Sequence, residues 1–510
     1  MTTTAAATAT AFPTNQQHKT LVLKSAILSR LLLLTLILIW RSLLTPYDTS
    51  APLNPSCLEI AKDQNSDSAA VLFPKLASAI ENGIVWDSVY FVRSAQCAAY
   101  EYEQSYAFLP LLPLFISFLS HTAVLGMSGY FINNVAFVFT AFYLYKAVLG
   151  LSGYFINNVA FVFTAFYFYK LSVIILKDSE LALRASILFC FNPASIFYSS
   201  IYSESLYALF SFGGLYYLVT GGNTVAVVSF ALSGCARSNG VLNAGYFCFQ
   251  TMHHAYDALF LKKRAFLTIQ VLTAGALRCI CILTPFFAFQ AYGYYNICLG
   301  HDLHEMRPWC KARVPLLGVG FLRYFQLKQL PNFLLASPIL SLAVCSIIYY
   351  AKSRPGIFFS LGFQASIEEK NSSALLFSLE SVPRSNIARL PEKSYSKIQE
   401  NHNLRQRKHT NRVDPVALPI ENDPLAKLGY LSISVLPFIL QLGFMAATAF
   451  FVMHVQVATR FLSASPPLYW FASHLMVHPG SKRWAYLIWA YSAAYILLGS
   501  LLFSNFYPFT

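Results

Sequence analysis

The 510-residue chain is 56% hydrophobic and only 11% charged, with 44 Phe and 31 Tyr, which is more apolar surface than a soluble core of this length can hide. Lipid must therefore be part of its solvent, and a soluble globular enzyme is excluded. The formal charge of +14 does not call for a nucleic-acid partner, because basic residues beside membrane spans mark the cytosolic side.

The first apolar run covers 26–44 and is interrupted by Arg30 and Arg41. No carboxylate precedes Asp48, whereas Lys19 and Lys24 flank the run, so the tail 1–25 is expected in the cytosol. The run lacks a small-residue cleavage signature and reads as an anchor that stays. Residues 45–106 carry eight acids against three bases, the reverse balance, and are expected to face the lumen or exterior. Further apolar runs at 107–125, 129–146, 153–176, 183–201, 206–220, 224–250, 265–291, 332–351, 428–453 and 484–503 complete the pattern. They predict an all-α polytopic membrane protein with on the order of ten transmembrane helices.

Composition divides the rest of the chain. After the membrane region 26–351, residues 352–426 lose apolar periodicity and cluster Arg405, Arg407, Lys408 and Arg412. This stretch is predicted to be a disordered cytosolic loop, before C-terminal helices in 427–510. Asn371-Ser372-Ser373 is a glycosylation sequon, relevant only if the loop is lumenal. Residues 123–146 recur at 147–170 with two of 24 positions changed, Met127 to Leu151 and Leu144 to Phe168. Such near-identity is too recent for an architectural repeat. A further span would invert every later helix, so one copy is expected either not to cross or to form a re-entrant hairpin with its twin.

Several polar residues stand in apolar surroundings. Asp87 follows Trp86 just before a span, with Arg93, Glu101 and Glu103 beyond it. A carboxylate at a low-dielectric surface suits a general base, although an ordinary interfacial loop would hold the same residues. Asn192-Pro193 can break a helix, and Ser203 can cap the next with Glu204 in its first turn. An acid there is costly against lipid and needs a cavity or a partner. Arg237 is the natural partner, and its planar fork equally suits a phosphate. Its span also carries Asn239 and Asn243, which are four apart and would therefore share one face of a helix. Arg460 is a lone charge between apolar stretches, placed to anchor at the interface or to bind a lipid phosphate. His301, Asp302, His304 and Glu305 resemble a metal site loosely, without a third ligand at helical spacing. Among ten cysteines, Cys57 with Cys97 and Cys298 with Cys310 are the plausible disulfide partners, while Cys279 and Cys281 read as small buried hydrophobes.

Seven segments carry a resemblance, in this order: WDSVYFVR (86–93), YEYEQSYAFLPLLP (100–113), FNPASIFYSSIYSESLYALF (191–210), ARSNGVLNAGY (236–246), RPWC (307–310), VGFLRYFQLKQLPNFLLASPIL (319–340) and HVQVATRFLSASPPLYW (454–470). Together they resemble the PIG-V type GPI mannosyltransferase 2 family. The resemblance covers most of the chain from Trp86 onward. It implies a GT-C-type transmembrane bundle in the endoplasmic reticulum, with a lumenal first loop. The implied reaction adds the second mannose of the GPI precursor in α1,6 linkage from dolichyl phosphate mannose. Because that donor is β-linked, the transfer inverts and needs one base. Asp87 would be that base, Trp86, Glu204, Asn239 and Asn243 would line the substrates, and Arg237 or Arg460 would meet the leaving phosphate. No cofactor and no metal are expected. The implied partners are the two lipid-linked substrates and a small membrane subunit. Competing readings are another GT-C transferase, a lipid transporter or scramblase with Glu204 and Arg237 along a headgroup path, and an inactive relative. The chain also departs from the family: after RPWC, an aromatic stretch of the form Y-x-x-I-Q-x-x-Y-W is replaced by Val314-Pro315-Leu316-Leu317 running into GVGFL.

Overall fold

The computed structural model describes residues 15–44, 83–131, 137–299, 310, 320–377, 429–477 and 482–507. Its elements are helices. In chain order they are α1 (Asn15–Leu43), α2 (Ser88–Cys97), α3 (Leu111–Phe131), α4 (Phe137–Leu176), α5 (Ser179–Cys190), α6 (Ser195–Ser199), α7 (Glu204–Val219), α8 (Asn223–Ala236), α9 (Ala244–Tyr256), α10 (Ala265–Tyr294), α11 (Leu330–Ser353), α12 (Leu436–Phe451), α13 (Ala458–Leu462), α14 (Pro466–Val477) and α15 (Lys482–Ser504). Six helical segments among the described residues are long and apolar enough to cross a membrane: Asn15–Leu43, Val148–Leu176, Ala265–Cys298, Leu327–Ser353, Ile433–Phe451 and Lys482–Ser504. The chain is a multi-pass membrane protein. Large apolar side chains such as Ile269, Leu277, Ile280 and Phe287 on α10 stay exposed, as a lipid-facing stripe requires.

α7 sits at the centre, packed between α4 and α8, while α10 covers α8 and α9. On the other side α1 lies against α4, α5 and α15, and α14 joins α5 to α11. Phe168, Phe189, Phe212 and Trp470 are fully buried where these helices meet, and their rings stack and tilt against one another. The dense aromatic composition thus fills the helix interfaces.

Three expected spans are broken, which is why fewer long helices appear than the apolar runs promised. The run 183–201 stops at Cys190, because Pro193 has no N–H to continue a helix. Asn192 fills the turn, its Oδ1 accepting from the Ala194 N–H at 2.9 Å. The carbonyls freed at this break find a donor in Arg30 of α1, which gives N–H groups to Cys190 O (3.4 Å), Ser195 O (3.1 Å) and Ser199 Oγ (2.9 Å). Its guanidinium lies 3.7 Å from the Phe161 ring centroid. The run 224–250 breaks at Arg237, which is extended (φ −147°, ψ 147°), and continues as a 3₁₀ segment Ser238–Asn243 before α9. Gly240 is required there, since a Cβ would come within 2.2 Å of the Ser233 carbonyl oxygen. The run 129–146 is not a helix of its own. The first copy of the duplicated sequence supplies the end of α3 and the start of the 40-residue α4, which runs on through the second copy to Leu176. The duplication therefore adds no separate helix.

The expected loop 352–426 is helical at its start. Short helices Pro355–Phe359, Ile367–Ser372 and Ala374–Phe377 follow α11, Arg354 pairs with Glu369, and Leu376 and Phe377 are buried. Four Phe, three Leu and an Ile within 357–363 and 374–377 give this stretch an apolar content that the surrounding charge obscured. The cluster Arg405–Arg412 lies outside the described residues; Asn371 is exposed at the end of one of these helices. Cys298 and Cys310 form a disulfide with Cα atoms 5.6 Å apart. Cys97 is also disulfide-bonded; Cys57, its expected partner, is not among the described residues. Cys279 is half-buried and Cys281 exposed, so neither is the buried thiol that the apolar run suggested.

Candidate active site

The turn before α2 presents Asp87. Trp86 adopts a positive φ of 54° and leans on Phe506 with ring centroids 5.9 Å apart, while Val89, Phe91 and Val92 anchor α2 in the core. The Asp87 backbone N–H donates to Tyr202 Oη at 3.2 Å. Although Asp87 precedes α2, its carboxylate makes no capping bond. It turns instead to Arg460, whose Nη1 lies 3.3 Å from Asp87 Oδ2. The side chain remains 33% exposed, so it is both held and reachable.

Arg460 is shared. Its Nε donates to Glu204 Oε1, and its guanidinium stands 4.6 Å from the Tyr202 ring centroid and 4.9 Å from that of Phe197. Two π faces and two carboxylates thus fix one planar cation, which suits arginine and not lysine. The same Glu204 Oε1 accepts from Arg237 Nη1 at 2.5 Å. Glu204 is 2% exposed, and its Oε2 is buried without a hydrogen-bond partner. The result is a neutral row, Asp87, Arg460, Glu204, Arg237, drawn from the turn before α2, α13, α7 and the break after α8. Such a row tolerates a low-dielectric setting because each charge meets its opposite. The remaining N–H groups of both guanidiniums have no partner among the described residues, which leaves donors for an anion.

Local sequence explains each position. The Asn192-Pro193 break and α6 carry Phe197 and Tyr202 under Arg460, and Arg30 fixes that break from α1. Ser203 does not cap α7; its Oγ instead accepts from Arg237 at 3.5 Å. Glu204 occupies the first turn as expected and pairs with Arg237 as expected.

Other expectations are corrected. Asn239 and Asn243 do not share one face, because the segment is 3₁₀ and four residues there rotate by about 120°. Asn243 ties helices together, donating to Ser211 Oγ and Ser233 Oγ, both at 2.9 Å. Both polar atoms of the Asn239 amide are buried without partners. The lone carboxylate envisaged at Asp87 is an ion pair, and Arg460 is no isolated anchor. Sequence reasoning missed that Arg460 joins the two acids, and missed Phe197, Tyr202 and Arg30. The aromatic pair in FYSSIY was a usable signal; the meeting of residues 87, 204 and 460 had none. His301–Glu305 and Val314–Leu317 are not among the described residues, and among those that are, no three His, Cys, Asp or Glu side chains are grouped to hold a metal.

The family model described as mannosyltransferase (PIG-V) matches residues 18–510. The chain belongs to the PIG-V mannosyltransferase family. It is 29% identical over 345 residues to the human GPI alpha-1,6-mannosyltransferase 2, covering 60% of this chain and 58% of that protein. It is 24% identical over 535 residues to the GPI mannosyltransferase 2 of Drosophila melanogaster, covering 96% of this chain and 99% of that one. The fission yeast Schizosaccharomyces pombe has a GPI mannosyltransferase 2 that is 29% identical over 266 residues, half of each chain. The match thus spans 58% of the length of the human relative. No solved structure matches the chain. All four charged residues of the row lie within the matched region of this PIG-V family member.

Proposed function

We propose that this chain is an inverting α1,6-mannosyltransferase that adds the second mannose to the GPI precursor, taking it from dolichyl phosphate mannose. The reading rests on family membership, and on one observation above all: a part-exposed acid, Asp87, joined through Arg460 to the buried Glu204 and Arg237. In the reaction the acceptor's 6-hydroxyl oxygen attacks the anomeric carbon, its proton passes to Asp87, and the bond from that carbon to the phosphate oxygen breaks. The electron pair leaves with dolichyl phosphate. Arg460 and Arg237 have unpaired donors for the negative charge that grows there, where fixed cations gain most. Glu204 keeps both guanidiniums in place before the lipid arrives.

The same reading puts the site on the lumenal side of the endoplasmic-reticulum membrane and the N-terminus in the cytosol, supported by the acids of 45–106 and by Lys19 and Lys24 ahead of the first span. The donor and acceptor are lipid-linked, a small membrane subunit accompanies the chain, and no cofactor takes part. The test is complementation of cells lacking GPI mannosyltransferase 2, scoring surface GPI-anchored protein. The chain is expected to restore it and Asp87→Asn, at equal abundance, is not. Rescue by the variant would remove Asp87 as base; failure of the well-expressed chain would count against the activity itself.

A further inference from the structure

α10 is the outermost of the candidate spans: 17% of its apolar stretch is buried, against 33–61% in the other five. Only one side of it packs inward. Thr268, Gly275, Ile282 and Phe289 are buried along that side, and Gly275 lets α9 close in, since a Cβ there would come within 2.3 Å of Thr251 Oγ1.

Arg278 sits at the edge of this packed side. It is 13 residues from Ala265 and 16 from Tyr294, the two ends of α10, about 20 and 24 Å at the helical rise. That places it near the middle of a hydrocarbon layer about 30 Å thick, too deep for its side chain to reach either surface. The Phe247 ring covers one face of the guanidinium, its centroid 5.6 Å away, but no hydrogen bond and no ion pair joins Arg278 to a described residue. His254 of α9 is within electrostatic reach yet brings no negative charge, and its own Nε2 is buried without a partner. Arg30 shows the contrast, since there the fold supplies three oxygens to an arginine inside the bundle. A charge at the depth of Arg278 is costly unless an opposite charge meets it.

The missing carboxylate does not come from the spans of this chain. None of the six candidate spans contains an Asp or a Glu, so a second copy has none to offer through them, and a lipid phosphate lies at the bilayer surface. The surface beside Arg278 suits a helix. Ala274, Cys281 and Ala288 flank it on one side of α10, with Cys281 and Ala288 exposed, and small side chains let a second helix approach closely in lipid. We propose that the Arg278 side of α10 is the docking surface for a membrane helix of another protein, one that carries a carboxylate at mid-membrane depth. No group of the charged row takes part, so the inference stands apart from the mannosyl-transfer reading.

Two measurements on the purified full-length chain test this. In the first, the chain is reconstituted in phosphatidylcholine vesicles with labelled leucine-rich helical peptides that carry either Glu or Gln at mid-length, and association is read by energy transfer. The Glu peptide is expected to bind the unsubstituted chain about tenfold more tightly than the Gln peptide, and Arg278→Leu to bind both alike. Equal binding of the two peptides by the unsubstituted chain overturns the proposal, as does a preference for Glu that survives in Arg278→Leu. Loss of the preference when phosphatidylserine is added would give Arg278 to a lipid headgroup and overturn it too. In the second, the chain is studied alone in detergent. Arg278→Leu is expected to unfold at the same temperature or higher, because nothing in the chain satisfies the charge; a lower temperature would mean that Arg278 serves this fold internally. A doubled mass that Arg278→Leu abolishes would assign the surface to a second copy. Either result overturns the proposal.

Discussion

At Glu204 one carboxylate oxygen serves two guanidiniums, and this determines what substitutions should do. Glu204→Gln keeps the volume but leaves Arg237 and Arg460 with only Asp87 between them. Removing one partner from a buried ionic cluster typically costs about 3–5 kcal/mol, and a drop in thermal unfolding temperature of the purified protein should reveal it. Joining Glu204→Gln to Arg237→Ala should recover part of that loss, since the two are in direct contact; strict additivity would refute the coupling. Arg460→Lys retains the charge but cannot reach two carboxylates while lying on two rings. We expect mannose transfer to fall about 100-fold at unchanged abundance. Near-normal transfer would show that the planar fork is not needed. Asp87 and Glu204 were each legible as acids in apolar surroundings. That a single arginine joins them was not, because 256 residues separate Arg460 from Glu204 and no local pattern spans such a distance.

Broken helices build this site. The Asn192-Pro193 break was legible, since proline both removes a donor and clashes within a helix; the break at Arg237 was not, because ARSNGVLN contains no proline. Gly240 permits the second break: the chain folds back so closely that a Cβ there would overlap the Ser233 carbonyl. Gly240→Ala should therefore lower stability by about 2 kcal/mol or more and shift Arg237 away from Glu204, seen as an earlier thermal transition together with weaker donor use. Arg30 plays the complementary part from α1. Its replacement by Met leaves up to three buried acceptors without a donor, at about 1–3 kcal/mol for each acceptor left unmade. Circular dichroism in detergent would register this as a lowered melting temperature, and an unchanged value would mean that water or other groups satisfy the break.

Across the whole molecule the duplicated segment has less influence than its length suggests. The first copy ends α3 and begins α4, so it lengthens helices that the rest of the chain already supplies. Deletion of 123–146 is expected to leave complementation at least as strong as in the full chain, whereas a copy that mattered to topology would abolish it together with surface expression. The order and composition of the residues by themselves determined the solvent of this protein, its helical class and its family, because apolar content and short motifs are properties of the chain read locally. The tertiary structure alone decided which acid faces which base, where runs of apolar residues break and which arginine is left without a partner. Those outcomes depend on how helices stack, and stacking brings into contact residues whose separation along the chain carries no trace of their meeting.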